Sequence, residues 1–229
     1  FAGPPKMRTT PYEVKHIKNT NNPAERNTMT AEMVGDIKQA MDEIEADKTV
    51  GAIIVTGTAP AFCAGANLGN LAEADGESLT RIYEGFLRIA RTPLPTIAAV
   101  NGAAVGAGMN LALCCDVRIA AHRAKFDTRF LQIGLHPGGG HTWMFQNIAG
   151  PQATMAAVVF GEILDGQEAQ RVGLAYKCVP DEELISASRL MAVRAASVPR
   201  ELAIITKRTI QEMANIATHS EAIAKELDP

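Results

Sequence analysis

Residues 97–117, IAAVNGAAVGAGMNLALCCDV, run from a short apolar strand through a glycine and alanine turn directly into a helix. The first amides of a helix have no partner within it and carry the positive end of its dipole. Ala107 and Gly108 therefore sit where an anion or a polarised carbonyl oxygen can be held. Gly102, Gly106 and Gly108 let the main chain approach a ligand closely. A second loop, residues 56–68, TGTAPAFCAGANL, again follows a continuous apolar strand and presents an amide at Ala66. Two such loops can supply two donors to one oxygen. That arrangement stabilises an oxyanion, the charge that develops on a carbonyl oxygen in the transition state of many reactions at or beside that carbonyl. A tight turn that needs small residues only for packing is the competing reading of either loop taken alone.

Taken together, the two segments resemble the crotonase (enoyl-CoA hydratase/isomerase) superfamily. The likeness rests on Asn101, Gly102, the run Gly106-Ala107-Gly108, Cys115 and Asp116. It extends to Asn22-Pro23-Ala24-Glu25-Arg26-Asn27, and downstream to Phe126, Gly134 and Pro137-Gly138-Gly139-Gly140. The resemblance implies an α/β fold, a crotonase-like ββα spiral core with a helical C-terminal trimerisation region. It implies a homotrimer or dimer of trimers acting on acyl-CoA, with Ala66 and Ala107 as the oxyanion amides. Coenzyme A enters as part of the substrate, with no separate cofactor. Arg26 and Ala64, Gly65, Ala66, Asn67 and Leu68 are the family-matched positions for it, Asn67 replacing a more usual aspartate. A basic side chain such as Arg26 can meet phosphate. The acyl pocket is expected to include Leu68, Phe130 and Trp143.

The chain departs from the hydratase pattern where proton transfer is concerned. Hydratases of the family carry two glutamates, and the matching positions here are Asn110 and Phe130. The aspartate of isomerase branches is replaced by Gly138, Gly139 and Gly140. Asparagine can orient water but cannot take its proton, and phenylalanine does neither. His136 and His141 flank the glycine run and are the candidate substitutes, His141 at the start of a helix that favours a neutral imidazole. Capping or packing of the turn is the alternative role for both. Asp127 and Arg129 read as a structural ion pair or a subunit contact, Asp116 as an acceptor for backbone donors and Cys63 as small-residue packing. The function that follows is a thioester enzyme of the enoyl-CoA hydratase/isomerase type with both usual glutamates absent. A non-catalytic acyl-CoA carrier or sensor on the same fold is the second possibility, and a structural subunit whose loops only pack is the third.

The elements that must position these residues alternate strand with helix, the order that gives parallel sheets with crossover helices. Met33, Ile37, Met41 and Ile44 recur at helical spacing after a cap at Thr28 or Thr30, and Leu79, Ile82, Phe86 and Ile89 repeat the device before Thr92-Pro93. The region from Pro151 onward reads as mainly helical. The expected division is a spiral core with the acyl-CoA site over residues 8–150 and a helical region over residues 151–229. The resemblance also implies an opening hairpin before Asn22 and a last helix continuing past residue 229.

With 229 residues, 47% of them hydrophobic and 21% charged, the chain is long enough to bury one sizeable core. A net charge of −3 offers no electrostatic footprint for nucleic acid or an anionic membrane. No apolar run approaches the ~20 residues of a membrane helix, and the opening lacks a secretory core. Cys63, Cys114, Cys115 and Cys178 have no C-x-x-C spacing, which fits reduced thiols in a cytoplasmic protein. His16 and His219 lack metal-ligand companions, so no metal is expected, and no G-x-G-x-x-G or G-K-[ST] pattern is present.

Overall fold

The computed structural model describes residues 12–18, 22–66 and 76–228. Asn67 and Leu68, two of the expected coenzyme-binding positions, lie outside the described residues. The strands are β1 (Glu13–Lys18), β2 (Val50–Thr56), β3 (Ala61–Cys63), β4 (Thr96–Val100), β5 (Ala103–Val105), β6 (Val117–Ala121), β7 (Lys125–Asp127), β8 (Leu164–Asp165) and β9 (Lys177–Val179). The helices are α1 (Ala31–Ala46), α2 (Gly76–Ala90), α3 (Ala107–Leu113), α4 (His141–Val158), α5 (Gly166–Arg171), α6 (Leu184–Ala196), α7 (Arg200–Met213) and α8 (His219–Leu227).

Two sheets result. One has the order β1-β2-β4-β6-β9 and is parallel throughout, and the other is β3-β5-β7-β8 with only the last pair antiparallel. Successive pairs β2–β3, β4–β5 and β6–β7 place one strand in each sheet, and a helix follows each of the first two, which produces the ββα spiral. β8 and β9, from beyond residue 150, pair with β7 and β6.

β2 reads as an unbroken apolar run because it is buried on both faces. Its alternate residues divide between two cores. Ile53 and Val55 join Met33, Ile37, Met41, Phe62, Phe86, Met109, Phe126 and Phe145, while Ala52 and Ile54 join Ile97, Ala99, Ile119 and Leu184, Ala192 and Ala196 of α6. Thr30 caps α1, its hydroxyl accepting the Met33 N–H at 3.2 Å. Arg88 ties α2 to α1, with Nη2 2.7 Å from Asp42 Oδ1 and Nη1 2.7 Å from Glu45 Oε1. α4 is interrupted at Gly150, where φ is +80° and Pro151 follows.

Asp116 takes the acceptor role read from the sequence. Its Oδ2 receives the Thr96 N–H at 2.8 Å, the Thr96 hydroxyl at 2.9 Å and Lys207 Nζ at 2.8 Å, joining α7 to the edge of β4. Trp143 is a correction. It was expected in the acyl pocket, but it is 72% exposed on α4, because the inward face there is taken by His141 and Phe145. No described helix is long and apolar enough to cross a membrane.

Candidate active site

The two loops singled out in the sequence meet. β3 and β5 are paired, and the chain leaves each at the same end to form the two turns. A Cβ on Gly65, where φ is +96°, would stand 2.7 Å from Val105 O and 3.8 Å from the Ala107 nitrogen, so only glycine allows this approach. On the other side of the contact, a Cβ on Gly108 would run into Cys63 O. The first loop is held from behind by the 22–29 segment: Ala64 donates to Arg26 O at 3.1 Å and Met29 donates to Gly65 O at 2.7 Å.

Gly106, the N-cap of α3, donates its own N–H to Asp127 O at 2.9 Å, and the first bond closing the helix runs from Asn110 N to Gly106 O at 3.0 Å. Between them the Ala107 N–H has no acceptor among the described residues, and neither has the Ala66 N–H. Both residues line one cavity of about 360 Å³, together with Arg26, Ala64, Gly65, Phe130 and His136. Two backbone donors without partners, on loops in backbone contact and facing one cavity, can converge on a single oxygen.

The rest of the wall was not legible in the sequence. Ile82 and Tyr83 reach it from α2, Thr128 and Arg129 from the strand end after β7, and Ile133 and Leu135 from the turn that follows. Helical periodicity marked Ile82 as inward-facing, but nothing marked Tyr83. Arg129 has φ of +55° and pairs with Asp127, its Nε 2.9 Å from Oδ2, so the expected ion pair forms. The described lining is therefore mostly apolar, with Arg26 and Arg129 the basic residues in the wall. Among the described lining residues there is no carboxylate.

Asn110 and His141 are brought together, although 31 residues separate them. His141 Nδ1 lies 2.7 Å from Asn110 Oδ1, and Asn110 Nδ2 donates to Gly138 O at 3.0 Å. Both side chains are buried, each about 1% exposed. The imidazole stands edge-on to Phe130, centroids 5.0 Å apart, and to Phe145 at 5.9 Å. Burial pushes its pKa down to about 4, so the ring is neutral at ordinary pH. His136 is exposed, lines the cavity directly and has Nδ1 2.8 Å from Pro137 O. Cys63 is fully buried and burial raises its thiol to about 11, which rules it out as a nucleophile at neutral pH. Among the described residues no group of His, Cys, Asp and Glu could hold a metal ion.

Comparison with known proteins agrees with this geometry. The family model described as enoyl-CoA hydratase/isomerase matches residues 11–228. A probable enoyl-CoA hydratase of Mycobacterium tuberculosis is 44% identical over 226 residues, covering 94% of this chain and 88% of that protein. The 1,2-epoxyphenylacetyl-CoA isomerase of Escherichia coli is 34% identical over 187 residues, covering 78% of this chain and 71% of that protein. Among solved structures, the enoyl-CoA hydratase of Bacillus anthracis superposes with a TM-score of 0.87 at 26% identity, covering 96% of this chain and 86% of the other. Fold, matched length and the paired loops lead to one conclusion: the chain belongs to the enoyl-CoA hydratase/isomerase family.

Proposed function

We propose that this protein binds an acyl-CoA thioester with its carbonyl oxygen between the Ala66 and Ala107 N–H groups, and catalyses a reaction that passes through the thioester enolate. The observation that carries this reading is the pair of amides without partners among the described residues, on two loops in backbone contact that line one cavity. Preorganised donors of this kind favour the enolate over the ground-state carbonyl, and each is worth about 2.7–4 kcal/mol of barrier. Arg26, beside Ala64 in the cavity wall, is the candidate for a phosphate of coenzyme A.

The familiar two-glutamate route is not available, since Asn110 and Phe130 occupy those positions and Asn110 is already engaged by His141 and Gly138. The absence of a carboxylate among the described lining residues favours the second reading, an acyl-CoA carrier or sensor. Incubation with trans-2-enoyl and 3-enoyl thioesters of coenzyme A separates the two, followed by the conjugated-thioester absorbance and set against Ala107→Pro. Turnover that disappears in the variant supports the enzyme. Saturable binding with no change in either thioester supports the carrier.

Apolar side chains exposed on and after α4, Trp143, Met155, Val159, Phe160 and Ile163, are the surface on which we place contacts between copies of the chain, in a homotrimer or dimer of trimers. A cytoplasmic location is proposed on the four cysteines, all of them free thiols.

A further inference from the structure

The Nε2 of His141 is buried and has no hydrogen-bond partner among the described residues. Buried polar atoms are normally satisfied, so an orphan beside a candidate active site calls for a chemical reason. The tautomer follows from the network. Asn110 Nδ2 donates to Gly138 O, which turns Oδ1 toward the ring. An amide oxygen only accepts, so His141 Nδ1 carries the proton and Nε2 presents a bare lone pair. With the amide flipped, two carbonyl oxygens would face each other. Asn110 also lies one turn along α3 from Ala107, so the helix that carries one oxyanion donor holds the group that orients the imidazole.

We propose that His141, oriented by Asn110, is the proton-transfer base of this site, and that it serves a single-base 1,3-proton shift on a 3-enoyl thioester. The inference rests on the thioester binding proposed above. Nε2 takes a proton from C2 as that C–H bond breaks, and its electron pair passes to the thioester oxygen between Ala66 and Ala107. The enolate electrons then return to form C2=C3, the C3=C4 pair takes the proton from Nε2–H at C4, and the ring is neutral again. No second acid or base and no co-reactant enters, in keeping with a cavity wall whose described residues hold no carboxylate. Phe130 stands between: its ring lines the cavity and packs edge-on to the imidazole. Phe130 is only half-buried, and the proposed step requires its ring to turn aside so that Nε2 meets the substrate. Asn110 acts through the imidazole and is a positioning residue. His136, exposed at the rim, is also fixed by a carbonyl, with Nδ1 2.8 Å from Pro137 O, but it is not shielded from water as His141 is.

The test uses hexanoyl-CoA and trans-3-hexenoyl-CoA. Binding of hexanoyl-CoA is measured by calorimetry, exchange of its C2 hydrogens in deuterium oxide by mass spectrometry, and isomerisation of the 3-enoyl thioester by absorbance. His141→Asn keeps an N–H toward Asn110 and removes Nε2. It is expected to bind hexanoyl-CoA as the wild type does and to lose exchange and isomerisation by about a hundred- to ten-thousand-fold, whereas His219→Ala, exposed on α8, retains both. Equal exchange in His141→Asn and wild type, or binding by the wild type without exchange, overturns the inference and leaves thioester binding intact. No binding by the wild type overturns the binding reading itself. If His141→Asn does not fold, imidazole nitrogen NMR of the wild type decides. A proton on Nδ1 and an Nε2 signal that moves when hexanoyl-CoA binds support the assignment, and a proton on Nε2 contradicts it.

Discussion

Acidification should reveal the burial of His141 as a loss of stability of definite size. The imidazole is held from its ordinary 6.5 down to about 4 by burial alone, with no charged group contributing. A histidine whose folded pKa is depressed binds fewer protons in the folded than in the unfolded state. Its contribution is therefore fully present above 6.5 and falls as the pH drops toward 4. At about 1.36 kcal/mol per pH unit of pKa difference, roughly 2–3 kcal/mol is lost by about pH 4.5. Other titrating groups act in the same range, so the informative quantity is a difference. Urea unfolding of wild type and His141→Asn at one fixed protein concentration, from about pH 7.5 to pH 4.5, removes the shared background. The wild type's advantage at neutral pH should shrink by about 2–3 kcal/mol across that range. Stability curves that stay parallel would mean that His141 titrates normally and is not held neutral by its surroundings.

Phe130→Ala should open the imidazole to water, and a histidine-proton NMR titration should then find its midpoint raised from about 4 toward the ordinary value. Gly108→Ala should splay the two loops, because its Cβ meets Cys63 O, destabilising the fold by about 1–3 kcal/mol in urea titrations and reducing enoyl-CoA turnover. Asp116→Ala leaves the Thr96 N–H without its acceptor and Lys207 with Leu94 O but no carboxylate, and should cost about 1–3 kcal/mol in the same titrations while acyl-CoA affinity stays near wild type. Glutamate at Asn110 would set a carboxylate against Gly138 O in a buried position, so Asn110→Glu should lower the unfolding midpoint rather than create a hydratase.

The paired loops were readable because their chemistry is carried by the backbone, and the sequence signals of that arrangement are local: an apolar strand, small residues, then a helix start. The boundaries of β4 and the start of α3 follow from the same signals. The short strands β3, β5, β7, β8 and β9 did not show, since two or three residues are too few for a period-two pattern to emerge. Nor did the Asn110–His141 contact, which depends on how the turn at Gly138 returns to α3 across 31 residues. Trp143 misled for the opposite reason. It is expected in the acyl pocket, but α4 turns that residue outward while the neighbouring His141 and Phe145 face the core.

The infrared difference spectrum of a bound enoyl-CoA labelled with carbon-13 at the thioester carbonyl probes the proposed oxygen site most directly. Donation from the Ala66 and Ala107 N–H groups should move the carbonyl stretch to lower frequency on binding. Ala107→Pro, which removes one donor at a helix position that tolerates proline, should reverse much of that movement. A carbonyl whose frequency is unchanged on binding, or equally displaced in the variant, would contradict the placement of the thioester oxygen between these two amides.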